Sequence, residues 1–141
     1  MLIEDNPDDT ELIKRAFEKS NIMNELLTFG NGEDALAYLF RPDLREEELP
    51  QVILLDLKLP KIDGLEVLKR IRNNEKTGLL PVVILTSSRE ERDLAAGYRL
   101  GANSYIQKPV DFDRFAEAVN DLGLYWLVLN IPAPNRKTEK N

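Results

Sequence analysis

Five polar side chains that could handle a metal ion or a phosphoryl group each follow a segment with the pattern of a strand. They are three carboxylates, one hydroxyl and one ammonium: Glu4, Asp5, Asp56, Thr86 and Lys108. Carboxylates held close together repel one another unless a cation or a proton intervenes. Oxygen ligands suit a hard ion such as Mg²⁺. A hydroxyl and an ammonium beside such an ion bind phosphoryl oxygens, and a carboxylate can itself be the nucleophile that forms an aspartyl phosphate.

The segments before these side chains alternate with helical patterns. Residues 52–55 and 82–85 are wholly apolar, which is typical of parallel strands covered on both faces. Shorter strands are predicted at residues 2–3, 26–29 and 104–107, and helices follow each strand. Five such units predict an α/β fold with a parallel sheet and helices on both faces. The carboxyl ends of its strands would bring the five side chains to one edge.

Composition excludes several functions. The chain has 141 residues and a formal net charge of −6, which argues against bulk binding of nucleic acid. It has no cysteine and no histidine, so disulfides, thiolate chemistry and Ser–His catalysis are excluded. Since no apolar run approaches the ~20 residues that span a bilayer, we predict a cytoplasmic protein without membrane contact.

Four motifs occur in order along the chain: Ile3-Glu4-Asp5-Asn6, Leu54-Leu55-Asp56-Leu57-Lys58-Leu59-Pro60 with Asp63-Gly64, Ile84-Leu85-Thr86-Ser87, and Gly101-Ala102-Asn103-Ser104-Tyr105-Ile106-Gln107-Lys108-Pro109. With these motifs the sequence resembles the receiver domain of bacterial response regulators, and about residues 2–122 are covered by the resemblance. It implies a doubly wound, flavodoxin-like parallel sheet of five strands in the order 2-1-3-4-5.

The resemblance also implies the roles of the acidic residues. Asp56 would be the phosphoacceptor. Asp5 and Asp56 would ligate Mg²⁺ directly, together with the backbone carbonyl of Lys58, and Glu4 would act through a metal-bound water.

Further roles follow for the residues around the phosphoryl group. Thr86 would hydrogen-bond it and Lys108 would pair with it. Tyr105 would be the aromatic switch residue whose rotamer follows Thr86. The Lys108–Pro109 peptide is expected to be cis, which would aim the ammonium inward.

A receiver takes its phosphoryl group from a phosphohistidine, which this sequence cannot supply. The expected donor is therefore a sensor histidine kinase. We expect a stand-alone response regulator of a two-component phosphorelay, in which phosphorylation shifts a two-state equilibrium and switches partner binding or homodimerisation. It would be a signalling phosphoprotein rather than an enzyme, with only self-catalysed phosphotransfer and autodephosphorylation.

The predicted domain organisation is simple. Residues 1–122 form the receiver domain, and residues 135–141 form a polar, disordered tail. Residues 123–134 form an apolar extension that packs on the domain or at a dimer interface. This ending and the charged loop before the third strand resemble single-domain regulators associated with bacterial phytochrome kinases.

Two other functions share parts of this pattern. An aspartate-nucleophile phosphatase places a second acid two residues after the nucleophile, where this sequence has Lys58. A flavodoxin-like FMN-binding module has the same architecture. It needs a Ser/Thr/Gly-rich phosphate loop after the first strand, where residues 4–9 here carry four acids.

Overall fold

Strands and helices alternate along the chain as the sequence predicts. The computed structural model describes residues 1–19, 26–87, 91–108, 113–114, 116–117 and 120–121. Its elements are β1 (Leu2–Ile3), α1 (Pro7–Lys19), β2 (Thr28–Phe29), α2 (Gly32–Leu39), β3 (Ile53–Asp56), α3 (Gly64–Asn73), β4 (Val82–Thr86), α4 (Glu91–Arg99) and β5 (Ser104–Gln107). The described residues from 113 to 121 are also helical. The Lys108–Pro109 peptide and residues 123–141 lie outside the described residues.

The five strands form one parallel sheet in the order β2-β1-β3-β4-β5, which confirms the predicted fold class. In the register of the sheet, Asp56 lies opposite Leu85, and Thr86 lies opposite Gln107. The ends of β3, β4 and β5 are therefore level with one another. Side chains at or just past these ends meet at a single edge of the sheet.

The sheet is buried on both faces. Ile3, Leu55 and Ile84 face one apolar cluster, which includes residues of α2 and α3. Leu54 and Val83 face a second cluster, which includes residues of α1. Successive side chains of a strand point to opposite faces, so a strand between two helical layers must be apolar at every position. Within the described residues, no helix is both long and apolar enough to cross a bilayer.

Polar caps fix the helix starts beside the strand ends. The Asn6 side-chain oxygen accepts the N–H groups of Asp8 at 2.9 Å and Asp9 at 3.1 Å. Asp63 accepts the N–H of Glu66 in the same way at the start of α3. Each cap satisfies N–H groups that the first helical turn leaves free.

One predicted strand needs correction, and one loop has a local feature that the sequence does not reveal. The second strand covers only Thr28–Phe29, because it is an edge strand that pairs with the two residues of β1 alone. The charged loop before the third strand contains one 3₁₀ turn, Glu46–Glu48. The Arg45 guanidinium pairs with Glu48 at 3.1 Å across this turn, a side-chain contact that composition does not reveal.

Gly64 allows the loop after Asp56 to fold back onto its own strand. The Gly64 N–H donates to the Leu57 carbonyl oxygen at 2.8 Å. A Cβ atom at position 64 would overlap the Asp56 carbonyl oxygen and the Leu57 Cα, which are both backbone atoms and cannot move away easily. Glycine is therefore required for the close approach that fixes residues 57–63 beside Asp56.

We expect Gly64→Ala to lower the thermal stability of the protein. Overpacking of this kind costs about 1–3 kcal/mol, which thermal unfolding followed by circular dichroism would measure as a fall of several degrees. Gly30→Ala is the matched control, because a Cβ there meets no atom within 4 Å. Equal melting temperatures for the two variants would contradict the proposed close approach.

Candidate phosphoacceptor and metal site

The edge formed by the strand ends contains a cleft of about 490 Å³. It is lined by residues from the ends of β1, β3, β4 and β5 and from the start of α1: Glu4, Asp5, Asn6, Pro7, Asp9, Asp56, Ser87 and Lys108. Four of the residues predicted for the site thus share one cavity, namely the three carboxylates and the lysine. Thr86 and Lys58 lie next to the cleft without lining it.

The three predicted acids are close enough to share a metal ion. One carboxylate oxygen from each of Glu4, Asp5 and Asp56 lies within 4.8 Å of the others. Glu4 and Asp56 are buried, whereas Asp5 is exposed. An all-oxygen donor set that is open to solvent on one side fits Mg²⁺, which binds one or two protein carboxylates and keeps several waters. The residues present therefore fit the ion.

Lys108 is the cation that faces these acids. Its Nζ donates to Glu4 Oε2 at 2.6 Å, to Asp9 Oδ2 at 2.9 Å and to Asp56 Oδ2 at 3.4 Å. Only 12% of the Lys108 side chain is exposed, so these contacts lie in a poorly hydrated region where charge interactions are strong. A single ammonium thereby bridges β1, α1 and β3.

The crowding of charge shifts two pKa values. Burial raises the pKa of Glu4 from 4.5 to about 7; the Lys108 hydrogen bond opposes this rise, and the charge of Asp56 adds to it. Burial alone would lower the pKa of Lys108, but its hydrogen bonds to Glu4 and Asp9 outweigh burial and raise it to about 12. Lys108 is therefore an ammonium at neutral pH, and Glu4 is a carboxyl group whose ionisation the fold disfavours.

We expect Glu4 to make the protein less stable as the pH rises in the absence of Mg²⁺. Its pKa is about 7 in the folded protein and 4.5 normally. A raised folded-state pKa contributes stability that is present below the unfolded pKa and is lost as pH rises through the folded pKa. Between about pH 5 and pH 8, the melting temperature of the wild type should fall by several degrees relative to that of Glu4→Gln.

The matched control for this measurement is Glu75→Gln, which replaces an exposed glutamate. Glu75→Gln should follow the pH dependence of the wild type. A constant difference in melting temperature between Glu4→Gln and the wild type over this pH range would contradict the raised pKa.

The remaining predicted residues of the site surround Asp56. The Lys58 N–H donates to Asp56 Oδ1 at 3.1 Å, which fixes the orientation of the carboxylate. Thr86 is fully buried at the end of β4, and its carbonyl oxygen accepts the Lys108 N–H at 2.7 Å. The backbone of Lys108 is thus tied to the strand that carries Thr86.

Tyr105 lies beside this strand, opposite Ile84 in the sheet register. Its hydroxyl oxygen is buried and has no hydrogen-bond partner among the described residues. Burial raises the pKa of Tyr105, and the charges of Asp93 and Asp56 add to the rise. Its ring centroid is 6.4 Å from that of Tyr98 on α4. Tyr105 therefore lies between β4, the strand that ends in Thr86, and Tyr98 on α4.

Asp9 is a site residue that sequence reasoning missed. The pattern Asp8-Asp9 is typical of a helix start, where acids favour the positive end of the helix. The structure separates the pair: Asp8 is exposed, whereas Asp9 lines the cleft and contacts Lys108. Its position, three residues after the cap Asn6, was the available signal, because a side chain there can lie across the helix start.

The fold and the cleft together define an α/β domain of the receiver type. A family model of the response regulator receiver domain matches residues 1–120. The chain therefore belongs to the response regulator receiver family, as its motifs predicted.

Individual relatives agree with this assignment. The chain is 39% identical over 130 residues to the probable methanogenesis regulatory protein FilR2 of Methanothrix harundinacea, which covers 92% of this chain and 84% of FilR2. The phosphorylated cyanobacterial phytochrome response regulator RcpA superposes with a TM-score of 0.83 at 35% identity, over 94% of this chain and 96% of RcpA.

The Mn²⁺-bound form of response regulator Rcp1 gives a TM-score of 0.81 at 35% identity, with coverages of 94% and 96%. These neighbours confirm the flavodoxin-like fold and the narrower likeness to phytochrome-associated regulators. As a receiver protein, the chain is a component of a two-component phosphorelay.

Proposed function

We propose that Asp56 accepts a phosphoryl group from the phosphohistidine of a sensor histidine kinase. The carboxylate oxygen of Asp56 forms a bond to phosphorus as the bond between phosphorus and the imidazole nitrogen breaks, and the imidazole remains on the kinase. The observation that carries this proposal is the position of the buried Asp56 carboxylate, in a cleft that is lined by three further acids and a lysine.

We further propose that Mg²⁺ is the cofactor of this transfer. Asp5 and Asp56 would bind it directly, with the carbonyl of Lys58 as a further ligand and Glu4 acting through a water. The ion would offset the negative charge that the carboxylates and the incoming phosphoryl group bring together. The short distances among the three acids and the Mn²⁺-bound form of Rcp1 support this assignment.

The chain's own residues then stabilise the phosphoryl group. Lys108 would donate from the α1 side of the cleft, and its ammonium is already in place at 3.4 Å from Asp56 Oδ2. The Thr86 hydroxyl would donate from the end of β4. A movement of Thr86 towards the phosphoryl group would change the space available to Tyr105, and the surface of α4 and β5 would change with it.

The proposed output is a change in partner binding or in homodimerisation, in the cytoplasm. Leu94 and Tyr98 are large apolar side chains exposed on α4, at 38% and 50%. The ring of Tyr98 lies next to that of Tyr105. This surface adjoins the proposed switch residue and is the part of the described chain that a phosphorylation-dependent partner would reach. The packing of residues 123–134 on the domain or at a dimer interface stays a prediction, because they lie outside the described residues.

The two alternative functions are not favoured. Lys58 stands where a phosphatase needs its second acid, so water attack on the aspartyl phosphate lacks a general base at that position. Glu4, Asp5 and Asp9 line the cleft where an FMN phosphate would lie, and they would repel it. We therefore infer a signalling role with self-catalysed dephosphorylation rather than enzymatic turnover of a substrate.

We expect Asp56→Asn to abolish phosphorylation. With acetyl phosphate or phosphoramidate and Mg²⁺, intact mass spectrometry should show one added phosphoryl group on the wild type and none on the variant, because an amide cannot replace the carboxylate nucleophile. Asp43→Asn, at an exposed aspartate outside the cleft, should be phosphorylated like the wild type. Full phosphorylation of Asp56→Asn would refute the assignment.

We expect Mg²⁺ to stabilise the folded protein by binding to its acidic cleft. A ligand at 100 times its Kd adds about 2.7 kcal/mol to the unfolding free energy, which corresponds to several degrees in differential scanning fluorimetry. Asp5→Asn should lose most of this shift, whereas Asp8→Asn, at an exposed aspartate outside the cleft, should keep it. If Mg²⁺ raised the melting temperature of Asp5→Asn as much as that of the wild type, the ion would bind elsewhere.

A further inference from the structure

One of the carboxylates that contact Lys108 lies outside the group of acids that can hold a metal ion. Lys108 Nζ has three N–H donors and three carboxylate partners, on Glu4, Asp9 and Asp56. Glu4 and Asp56 also belong to the group of acids that can hold a metal ion, whereas Asp9 does not. Asp9 is thus the one of these three acids that is free to keep the ammonium while the others serve an ion or a phosphoryl group.

The ammonium and a divalent ion compete for the same acids. Lys108 contacts Glu4 Oε2 at 2.6 Å and Asp56 Oδ2 at 3.4 Å, and a metal ion between these carboxylates would need their charge as well. Repulsion between the two cations would push the ammonium away from the metal. An acceptor for the ammonium that does not belong to this group of acids would therefore favour metal binding.

Asp9 is placed to be that acceptor. It lies in the first turn of α1, with its N–H held by the Asn6 side chain, so its carboxylate is fixed to a rigid element. Its side chain is 37% exposed, which lowers the desolvation cost of keeping the charge compared with that of Glu4, at 1%.

We propose that Asp9 is a positioning residue that holds the Lys108 ammonium on the α1 side of the cleft and so leaves Glu4 and Asp56 available to the divalent ion. The inference rests on the proposed function and extends it to a residue outside the predicted metal and phosphoryl ligands. Without Asp9, Lys108 would move closer to Glu4 and Asp56 and compete more strongly with Mg²⁺.

The chain offers a matched control in Asp8. Asp8 and Asp9 have the same charge, lie in the same helical turn and donate their N–H groups to the same Asn6 oxygen. Asp8 is exposed, and its side chain is not among the described contacts of Lys108. A comparison of the two Asp→Asn variants therefore separates the contact with Lys108 from a general effect on α1.

Isothermal titration calorimetry of the full chain with Mg²⁺ tests the proposal. We expect Asp9→Asn to raise the Kd for Mg²⁺ about three- to fivefold, the size of one partly exposed ion pair. Asp8→Asn should change the Kd by less than about 1.5-fold. Asp9→Glu should restore most of the affinity. Unchanged affinity in Asp9→Asn would overturn the proposal.

A double-mutant cycle with Lys108→Met shows whether Asp9 acts through the lysine. Lys108→Met should bind Mg²⁺ at least as tightly as the wild type, and Asp9→Asn should cause no further loss in that background. An equal loss in both backgrounds would mean that Asp9 acts by its charge alone and would overturn the proposal. Lys108→Gln replaces Lys108→Met if the latter does not melt cooperatively.

The tests of the Asp9 positioning role and of Asp56 phosphorylation can fail independently of each other. If Mg²⁺ affinity depends on Asp9 through Lys108 but the wild type takes up no phosphate from acetyl phosphate, the positioning role is supported and the phosphoacceptor role is wrong. If the wild type is phosphorylated on Asp56 but Asp9→Asn binds Mg²⁺ normally, the positioning role alone is wrong.

Discussion

Two buried carboxylates, on Glu4 and Asp56, share a single ammonium at the edge of the sheet, and the chemistry of the site depends on this imbalance of charge. Burial raises the pKa of Glu4 to about 7, which shows how poorly the fold tolerates the full negative charge of the cluster. A divalent ion would relieve the repulsion and would offset the charge of a phosphoryl group as well. The same imbalance would thus favour metal binding and the proposed role of Asp56 as a nucleophile.

The fold creates this imbalance through its topology. Parallel strands bring residues that are distant in sequence, such as Glu4 and Lys108, to one edge, and the register of the sheet keeps Asp56 level with the end of β4. The start of α1 adds Asp9 to the same edge. Gly64 fixes the loop that follows Asp56 by a backbone contact. Tyr105, the proposed switch residue, lies beside the exposed Tyr98 on α4.

The sequence predicts which residues lie at the carboxyl ends of the strands. Asp56 comes directly after the apolar run 52–55, and Lys108 comes directly after the strand predicted at residues 104–107. Their place at the sheet edge therefore follows from strand polarity alone. Asp9 could not be assigned in this way, because the direction of a side chain in the first turn of a helix depends on how that helix rotates against the sheet. The predicted strand at residues 26–29 is longer than the observed β2, because the hydrophobic pattern does not show how many residues of an edge strand pair with a neighbouring strand. The depth of the Tyr105 hydroxyl depends on packing between β4, β5 and α4, which composition does not encode.

We propose that the carboxylates of Glu4, Asp5 and Asp56 hold a divalent ion beside a nucleophilic Asp56. A crystal structure of the full chain grown with Mn²⁺ and beryllofluoride would test this proposal, because the anomalous signal of manganese locates the ion and beryllofluoride marks the phosphoacceptor. We expect an anomalous peak within bonding distance of Asp5 and Asp56, and a beryllofluoride group on Asp56 with Lys108 Nζ beside it. A manganese ion bound elsewhere, or a beryllofluoride group on another residue, would contradict it.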